Sequence, residues 1–302
     1  MESLYLIGGS GFVGKNLVDC LSHKYKITVF DKFIDTDFFS SKKDVRTIQL
    51  DLTNENIPSD FSTPDYIINF ASVVTAEREL KLFNELIETN LRIMLSLFER
   101  FKTDKKLKLF VQFGSSEEYG DIESPFKEDM REHPNSPYAL VKQLTTNTGI
   151  MLYKNYGFPI TVVRPENLFG PKQPKSKFIP YVIDKLMNNE SLDVSPCGQK
   201  RDFIYITDFI FVLEKLLCNY SKCIGEIINI SSGKSISLKS IIEFCKKELN
   251  SKSTINYGAL PYRENEIMDL KCDVTKLQNI INEEINLDTK KRLKKYIKQN
   301  LT

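Results

Sequence analysis

A glycine-rich turn directly behind the first apolar run constrains this chain more than any other feature. Leu4-Tyr5-Leu6-Ile7 reads as a buried strand, and Gly8-Gly9-Ser10-Gly11-Phe12-Val13-Gly14 follows at once. Glycines 8, 11 and 14 have the spacing G-x-x-G-x-x-G and lead into a helical pattern over residues 13–22. A turn without side chains lets an anion approach the helix N-terminus, where free N–H groups and the helix dipole favour negative charge. Gly8, Ser10, Gly11, Phe12, Val13 and Gly14 are therefore the expected cradle for the pyrophosphate of a dinucleotide.

The rest of the first half fits that start. Apolar runs at 27–30, 47–50, 66–70, 109–113 and 160–164 read as strands, and the stretches 77–103 and 138–156 have helical patterning. Strands alternating with helices predict an α/β fold, a Rossmann-type doubly wound parallel sheet. Four prolines between 165 and 180 mark a loop. Beyond them the pattern predicts a short helix at 184–188, an extended piece at 204–205, helices at 209–217 and 238–249, a strand at 227–230, and a lysine-rich helical tail over 285–302. The expected division is a dinucleotide-binding domain over 1–170, with returning segments from about 200–230, and a smaller C-terminal α/β substrate-binding domain over 171–302.

Asp31 ends the second strand, 17 residues beyond Gly14. An acid there accepts hydrogen bonds from the adenosine ribose and repels a 2′-phosphate, which favours NAD over NADP; Lys32 weakens the preference, so NADP stays possible. Asp51, Leu52, Phe70 and Ala71, at the ends of the third and fourth strands, are assigned to the same cofactor site. The 42 basic and 40 acidic residues leave a net charge of +2, which gives no reason to expect nucleic acid or a membrane surface as partner. The six cysteines form no C-x-x-C pair and there are two histidines, so the expectation is reduced thiols in the cytoplasm and no metal site.

Tyr138 and Lys142 are four residues apart in the helical stretch 138–156 and share one face of it. A neighbouring ammonium stabilises tyrosinate, making Tyr138 a candidate acid/base at an alcohol–ketone couple. Ser115 follows the fifth strand, at the sheet end where ligands bind, and its hydroxyl can reach both a substrate oxygen and Tyr138. The long stretches 77–103 and 138–156 have spare faces suited to a homodimer.

GGSGFVG at 8–14, FGSSEEYG at 113–120, SPYALVK at 136–142, RPENLFGP at 164–171 and RDFIYITD at 201–208 occur in that order along the chain. Together they resemble the extended short-chain dehydrogenase/reductases of the nucleotide-sugar epimerase/dehydratase family. The resemblance implies Tyr138 as acid/base, Lys142 as its electrostatic partner and ribose ligand, and Ser115 as the hydroxyl contact. It implies that Asn90 lies near the active-site helix and Asn167 near a nucleoside-diphosphate sugar. It places Arg201, and by likeness Arg263, on the diphosphate, a role that suits a guanidinium fork. Glu117 stands where the dehydratases of the family have their catalytic glutamate, and Ser116 where some of them have aspartate. The compact chain and the GSSEEYG form resemble 4-keto-6-deoxysugar reductases more. The expected reaction is therefore 4-keto reduction, with 4-epimerisation and then 4,6-dehydration as alternatives, and a dinucleotide-sensing scaffold as the non-enzymatic one.

Overall fold

A computed structural model describes every residue except Ala76, Asn286 and Thr302. The chain begins with strand β1 (Glu2–Ile7), helix α1 (Phe12–Leu21), β2 (Tyr25–Asp31), α2 (Thr36–Ser40), β3 (Arg46–Gln49) and β4 (Tyr66–Asn69). Next come α3 (Phe83–Ile87), α4 (Ile93–Phe101), β5 (Leu109–Phe113), α5 (Pro137–Tyr156), β6 (Ile160–Pro165) and β7 (Asn167–Phe169). The second half holds α6 (Phe178–Met187), β8 (Leu192–Val194), β9 (Lys200–Arg201), β10 (Phe203–Tyr205), α7 (Ile206–Cys218), α8 (Tyr220–Cys223) and β11 (Ile227–Ile230). It closes with β12 (Ile236–Ser237), α9 (Leu238–Leu249), β13 (Ile255–Tyr257), β14 (Asp269–Leu270), α10 (Thr275–Ile281) and α11 (Thr289–Leu301).

Seven strands form one parallel sheet in the order β11-β6-β5-β4-β1-β2-β3. Its central strands are apolar without alternation because both faces are covered. One face packs Leu4, Leu6, Val29 and Val111 against Leu17, Phe209 and Leu213 of the flanking helices. The other packs Tyr5, Ile7, Ile67 and Phe110 against Met94, Leu97 and Phe98. The chain runs outward from β1 to β3, then crosses back to β4. That reversal opens a crevice at the carboxyl ends of β1 and β4.

Three local expectations change. The stretch 77–103 is not one helix. A short 3₁₀ turn at Leu80–Leu82 leads into α3, and a π-helical turn, Glu88–Arg92, separates α3 from α4. Within it Thr89 Oγ1 donates to Glu85 O at 2.8 Å and Asn90 Nδ2 donates to Leu86 O at 2.9 Å, and such side-chain bonds compete with the regular ladder. The helix expected at 184–188 starts six residues earlier, inside the stretch read as a loop. Pro180 sits in its first turn, where no backbone donor is needed. The tail is helical as α11, while Asn286 and Thr302 of the expected 285–302 segment lie outside the described residues.

A second apolar cluster gathers the later elements, with Ile179, Val182, Leu192, Ile241, Ile242, Leu293 and Ile297 at its centre. β11 returns to pair with β6 in the main sheet, so the chain crosses between the two clusters more than once. Among the described residues, no helix is long and apolar enough to cross a membrane.

Candidate active site

A cleft of about 550 Å³ lies along the carboxyl ends of the main sheet. The loops after β1, β4, β5 and β6 all contribute to its walls. Its size is that of a small-molecule site.

The β1–α1 turn shows why its glycines differ in duty. Gly8 has φ +72°, and a Cβ there would come within 2.9 Å of the Ala71 backbone. A Cβ on Gly14 would sit 2.2 Å from Gly9 O, so the helix could not lie so close to the turn. Gly11 is different: its nearest neighbour would be Gly8 O at 3.7 Å, an ordinary contact. The fold does not need a glycine at 11. The space it leaves faces the cleft, beside the first-turn residues Phe12, Val13 and Gly14. An open cradle in front of unpaired helix N–H groups fits a dinucleotide pyrophosphate.

Asp31 also holds that turn in place. Its carboxylate accepts from Ser10 N at 2.8 Å and from Phe33 N at 3.1 Å, while Ser10 Oγ accepts from Asp35 N at 2.9 Å. Lys32 is drawn away to Asp51, with Nζ 3.0 Å from the carboxylate. That ion pair and the Thr53 hydroxyl hold Asp51 down at about 2, the hydroxyl contributing more. Asp51 is thus committed to protein partners. Leu52 is a core side chain, and Ala71 packs beneath Gly8. Of the expected cofactor residues, Gly8, Gly11, Phe12, Val13, Gly14, Phe70, Tyr138 and Lys142 line the cleft; Ser10, Asp31, Asp51, Leu52, Ala71 and Asn90 do not. Asn90 is fully buried in the π turn that packs on α5, with its Oδ1 left without a partner.

Tyr138 and Lys142 lie on the first turns of α5. Ser136 caps that helix by accepting from Ala139 N at 3.1 Å, and Pro137 opens it where its missing N–H is harmless. Tyr138 and Ser115 both line the cleft, and the Ser115 side chain acts to lower the Tyr138 phenol pKa. Lys142 Nζ donates to Phe113 O at 2.9 Å and lies 5.8 Å from the centre of the Tyr138 ring. Ser115 is fixed in turn by a short 3₁₀ segment (Ser116–Tyr119): its N–H donates to Glu118 Oε1 at 2.7 Å, and its Oγ accepts from Glu117 N at 3.2 Å. Glu118 is anchored by Arg164, whose Nε donates to it at 2.9 Å deep in the protein.

The electrostatics correct one expectation. The lysine was expected to lower the Tyr138 phenol, yet the phenol is held above its ordinary value. Burial is the main cause and Glu117 adds repulsion, while the nearby Ser115 side chain opposes both. Burial likewise pulls Lys142 down to about 8, against the attraction of Glu118. In the free protein Tyr138 is therefore a protonated acid, and Lys142 titrates near neutrality.

The far end of the cleft gathers Ser116, Glu117, Asn167, Arg201 and Arg263, all expected there, and adds Arg78 and Glu166. The Glu117 side chain is open to the cleft, but the surrounding walls raise its carboxyl pKa, with Arg201, Arg263 and Arg78 pulling the other way. Arg201 is already engaged: it pairs with Glu266 and donates to Ile267 O at 2.6 Å. Its expected diphosphate role must share the guanidinium with that pair. Asn167 is exposed and donates to Asp202 O at 3.3 Å. Arg78 donates to Asn135 O at 3.0 Å; it lies at the start of the stretch 77–103, whose helical patterning does not reveal that it reaches the cleft, so sequence reasoning missed it. Glu166 lay inside the RPENLFGP motif. Its one visible signal was its place in that motif, between β6 and β7. Among the described residues, no group of three or more His, Cys, Asp or Glu is arranged to hold a metal ion.

A glycine cradle lies at the switch point of a doubly wound sheet, with a serine–tyrosine–lysine grouping across the cleft, an arrangement that fits a dinucleotide-binding site. The chain belongs to the NAD dependent epimerase/dehydratase family, whose sequence profile matches residues 4–231. It is 40% identical over 118 residues to a CDP-abequose synthase of Salmonella muenchen, a match covering 39% of this chain and 40% of that protein. It is 26% identical over 278 residues to a dTDP-D-glucose 4,6-dehydratase of Dictyostelium discoideum, covering 83% of this chain and 62% of that protein. The matches thus span less than two thirds of either relative. A UDP-glucuronic acid 4-epimerase from Bacillus cereus, solved with UDP-glucuronic acid and NAD, shares the fold with a TM-score of 0.88 at 24% identity, covering 99% of each chain. A UDP-N-acetylglucosamine 4-epimerase from Methanobrevibacter ruminantium M1, solved with UDP-N-acetylmuramic acid, gives 0.89 at 24% identity, covering 99% of this chain and 98% of that one.

Proposed function

We propose that the protein reduces a 4-keto-6-deoxy nucleoside-diphosphate sugar, with the proton and hydride delivered across the sugar C4 carbonyl. The carrying observation is that Ser115, Tyr138 and Lys142 line the same cleft that the glycine turn enters. NAD, bound on that turn, supplies the hydride in its reduced form. Ser115 and Tyr138 hold the carbonyl oxygen, and Tyr138, protonated at rest, gives it the proton, leaving a tyrosinate that Lys142 stabilises. Carbonyl plus hydride plus proton yields the C4 alcohol.

Gly8, Gly11–Gly14, Phe70 and Lys142 take the cofactor in this reading, with Asp31 at the adenosine ribose. Ser116, Asn167, Arg201 and Arg263 take the sugar nucleotide. Residues 1–170, with the return from about 200–230, hold the cofactor, and 171–302 supply the substrate side. The CDP-abequose synthase relative supports a substrate carried on a nucleoside diphosphate. All six cysteines are free thiols, which fits a reducing cytoplasm. Leu140, Leu144 and Met151 on α5 and Leu95 on α4 are exposed apolar side chains, and we assign this face to a homodimer contact.

A second reading has its own support. Glu117 stands in the cleft as a carboxylate beside Tyr138, and Lys32 is removed from Asp31 by Asp51, so NAD over NADP is favoured. Both features suit an epimerase or dehydratase that keeps and recycles NAD. Native mass spectrometry of the purified protein separates the two. Release of a cofactor-free protein that consumes reduced dinucleotide with a 4-keto sugar nucleotide supports reduction. Tightly retained NAD and no net consumption supports the second reading.

A further inference from the structure

Glu166 is a carboxyl group that neither the cofactor cradle nor the Ser115–Tyr138–Lys142 grouping uses. It follows β6 directly, and its N–H donates to Ile230 O at 3.0 Å, so the main sheet fixes its backbone. It is 3% exposed and still forms part of the cleft wall. Ser116 Oγ donates to its Oε2 at 3.1 Å, and Cys272 Sγ donates to its Oε1 at 3.2 Å. Ser116 is the residue after Ser115, so this contact lies next to the reacting oxygen. Among the described residues no salt bridge forms with Glu166, and the nearby Arg201 is committed to Glu266.

Burial, reinforced by Asp202, raises the Glu166 pKa well above the usual carboxylate range. Ser116 Oγ and Cys272 Sγ each occupy one carboxyl oxygen, and each oxygen keeps further hydrogen-bonding capacity. Glu166 and Ser116 both line the cleft, so a hydroxyl of a bound ligand can satisfy that capacity.

We propose that Glu166, acting with Ser116, contacts the sugar ring of the substrate and reads one of its neutral oxygens. This rests on the nucleotide-sugar reading above. It assigns to Glu166 a specificity role: the residue distinguishes the sugar and is blind to the nucleotide.

Calorimetric titration of the NAD-loaded protein tests this with two probes, a nucleoside diphosphate and its glucose conjugate, taking cytidine, uridine or thymidine, whichever base binds tightest. Glu166→Ala weakens the conjugate about tenfold, the value of one lost buried hydrogen bond, and leaves the bare diphosphate within about twofold. Glu166→Gln, neutral and of the same shape, restores the conjugate to within about threefold of the parent. Ser116→Ala removes only a hydroxyl and lowers the conjugate-to-diphosphate ratio about threefold, which keeps the test intact should Glu166→Ala not fold. Equal loss on both probes, or an unchanged ratio in Ser116→Ala, overturns the proposal. A parent protein that binds no sugar nucleotide contradicts the functional reading itself, and this is seen before any variant is made.

Discussion

At the amino-terminal end of the cleft the recognition surface is backbone: Gly8, Gly11 and the first turn of α1 present N–H groups and almost no side chain. At the opposite end it is side chain, with Arg78, Arg201 and Arg263 facing Glu117 and Glu166. The cradle is held largely by nearby sequence, such as Ser10 N to Asp31, although Gly8 also packs on Ala71 and Asn16 donates to Pro171 O. The far end is held by contacts across the chain, such as Arg201 with Glu266 and Cys272 with Glu166, 65 and 106 residues apart. Backbone recognition fixes a ligand that every relative of the fold can share. Side-chain recognition assembled over long range is free to differ from one relative to the next, and specificity belongs there.

Substitutions in the glycine turn break this comparison most severely. Gly14→Ala drives a methyl group into Gly9 O, and about 3 kcal/mol or more of stability is expected to be lost in thermal or urea unfolding. Gly11→Asp meets no such wall. It should leave the melting midpoint almost unchanged while weakening NAD about 100-fold, since a carboxylate then opposes the pyrophosphate. If both variants fail in the same way, the distinction between a packing glycine and a ligand glycine is lost.

Lys142 sharpens the comparison through pH. Its pKa in the fold is about 8, against an ordinary value of 10.5. Above pH 8 the folded protein loses that proton, so kcat/KM is expected to fall about tenfold per pH unit. Stability moves the other way. Between about pH 8 and 10.5 the unfolded chain still holds the proton that the folded chain has released, so the Lys142 contribution to stability rises with pH. The difference between the parent and Lys142→Met in unfolding free energy across that window reads this contribution. Smaller still is the effect of Asp31→Asn, which keeps an acceptor for Ser10 N but removes a charge. The NADP-to-NAD ratio of kcat/KM should rise about fivefold, the value of roughly 1 kcal/mol of relieved repulsion.

The same contrast explains what the sequence made legible. The first strand, the glycine turn, Asp31 and the Tyr138–Lys142 spacing are local patterns tied to local physics, and each has its place on the sheet or on α5. The π turn at Asn90 was hidden because Thr89 and Asn90 interrupt the helix with side-chain hydrogen bonds while leaving its apolar periodicity intact. Strands such as β9, β12 and β14 are two residues long and exist through partners far away in sequence. The depressed Lys142 and the raised Tyr138 follow from three-dimensional burial, which no spacing rule contains. Arg78 and Glu166 entered the cleft for the same reason: the patterns around them, a helical stretch and the RPENLFGP motif, do not say where the side chains go, and only the fold brings them to Glu117 and Ser116.

The central claim is that Tyr138 moves the proton at an alcohol–ketone couple of a nucleotide sugar. Its most direct test is single-turnover kinetics of Tyr138→Phe, in which NAD and sugar-nucleotide affinities are measured alongside the rate. The account predicts parent-like affinities and a rate lower by about 100- to 10,000-fold, the range of general acid–base catalysis. Parent-like affinities with a rate within about twofold of the parent would contradict it.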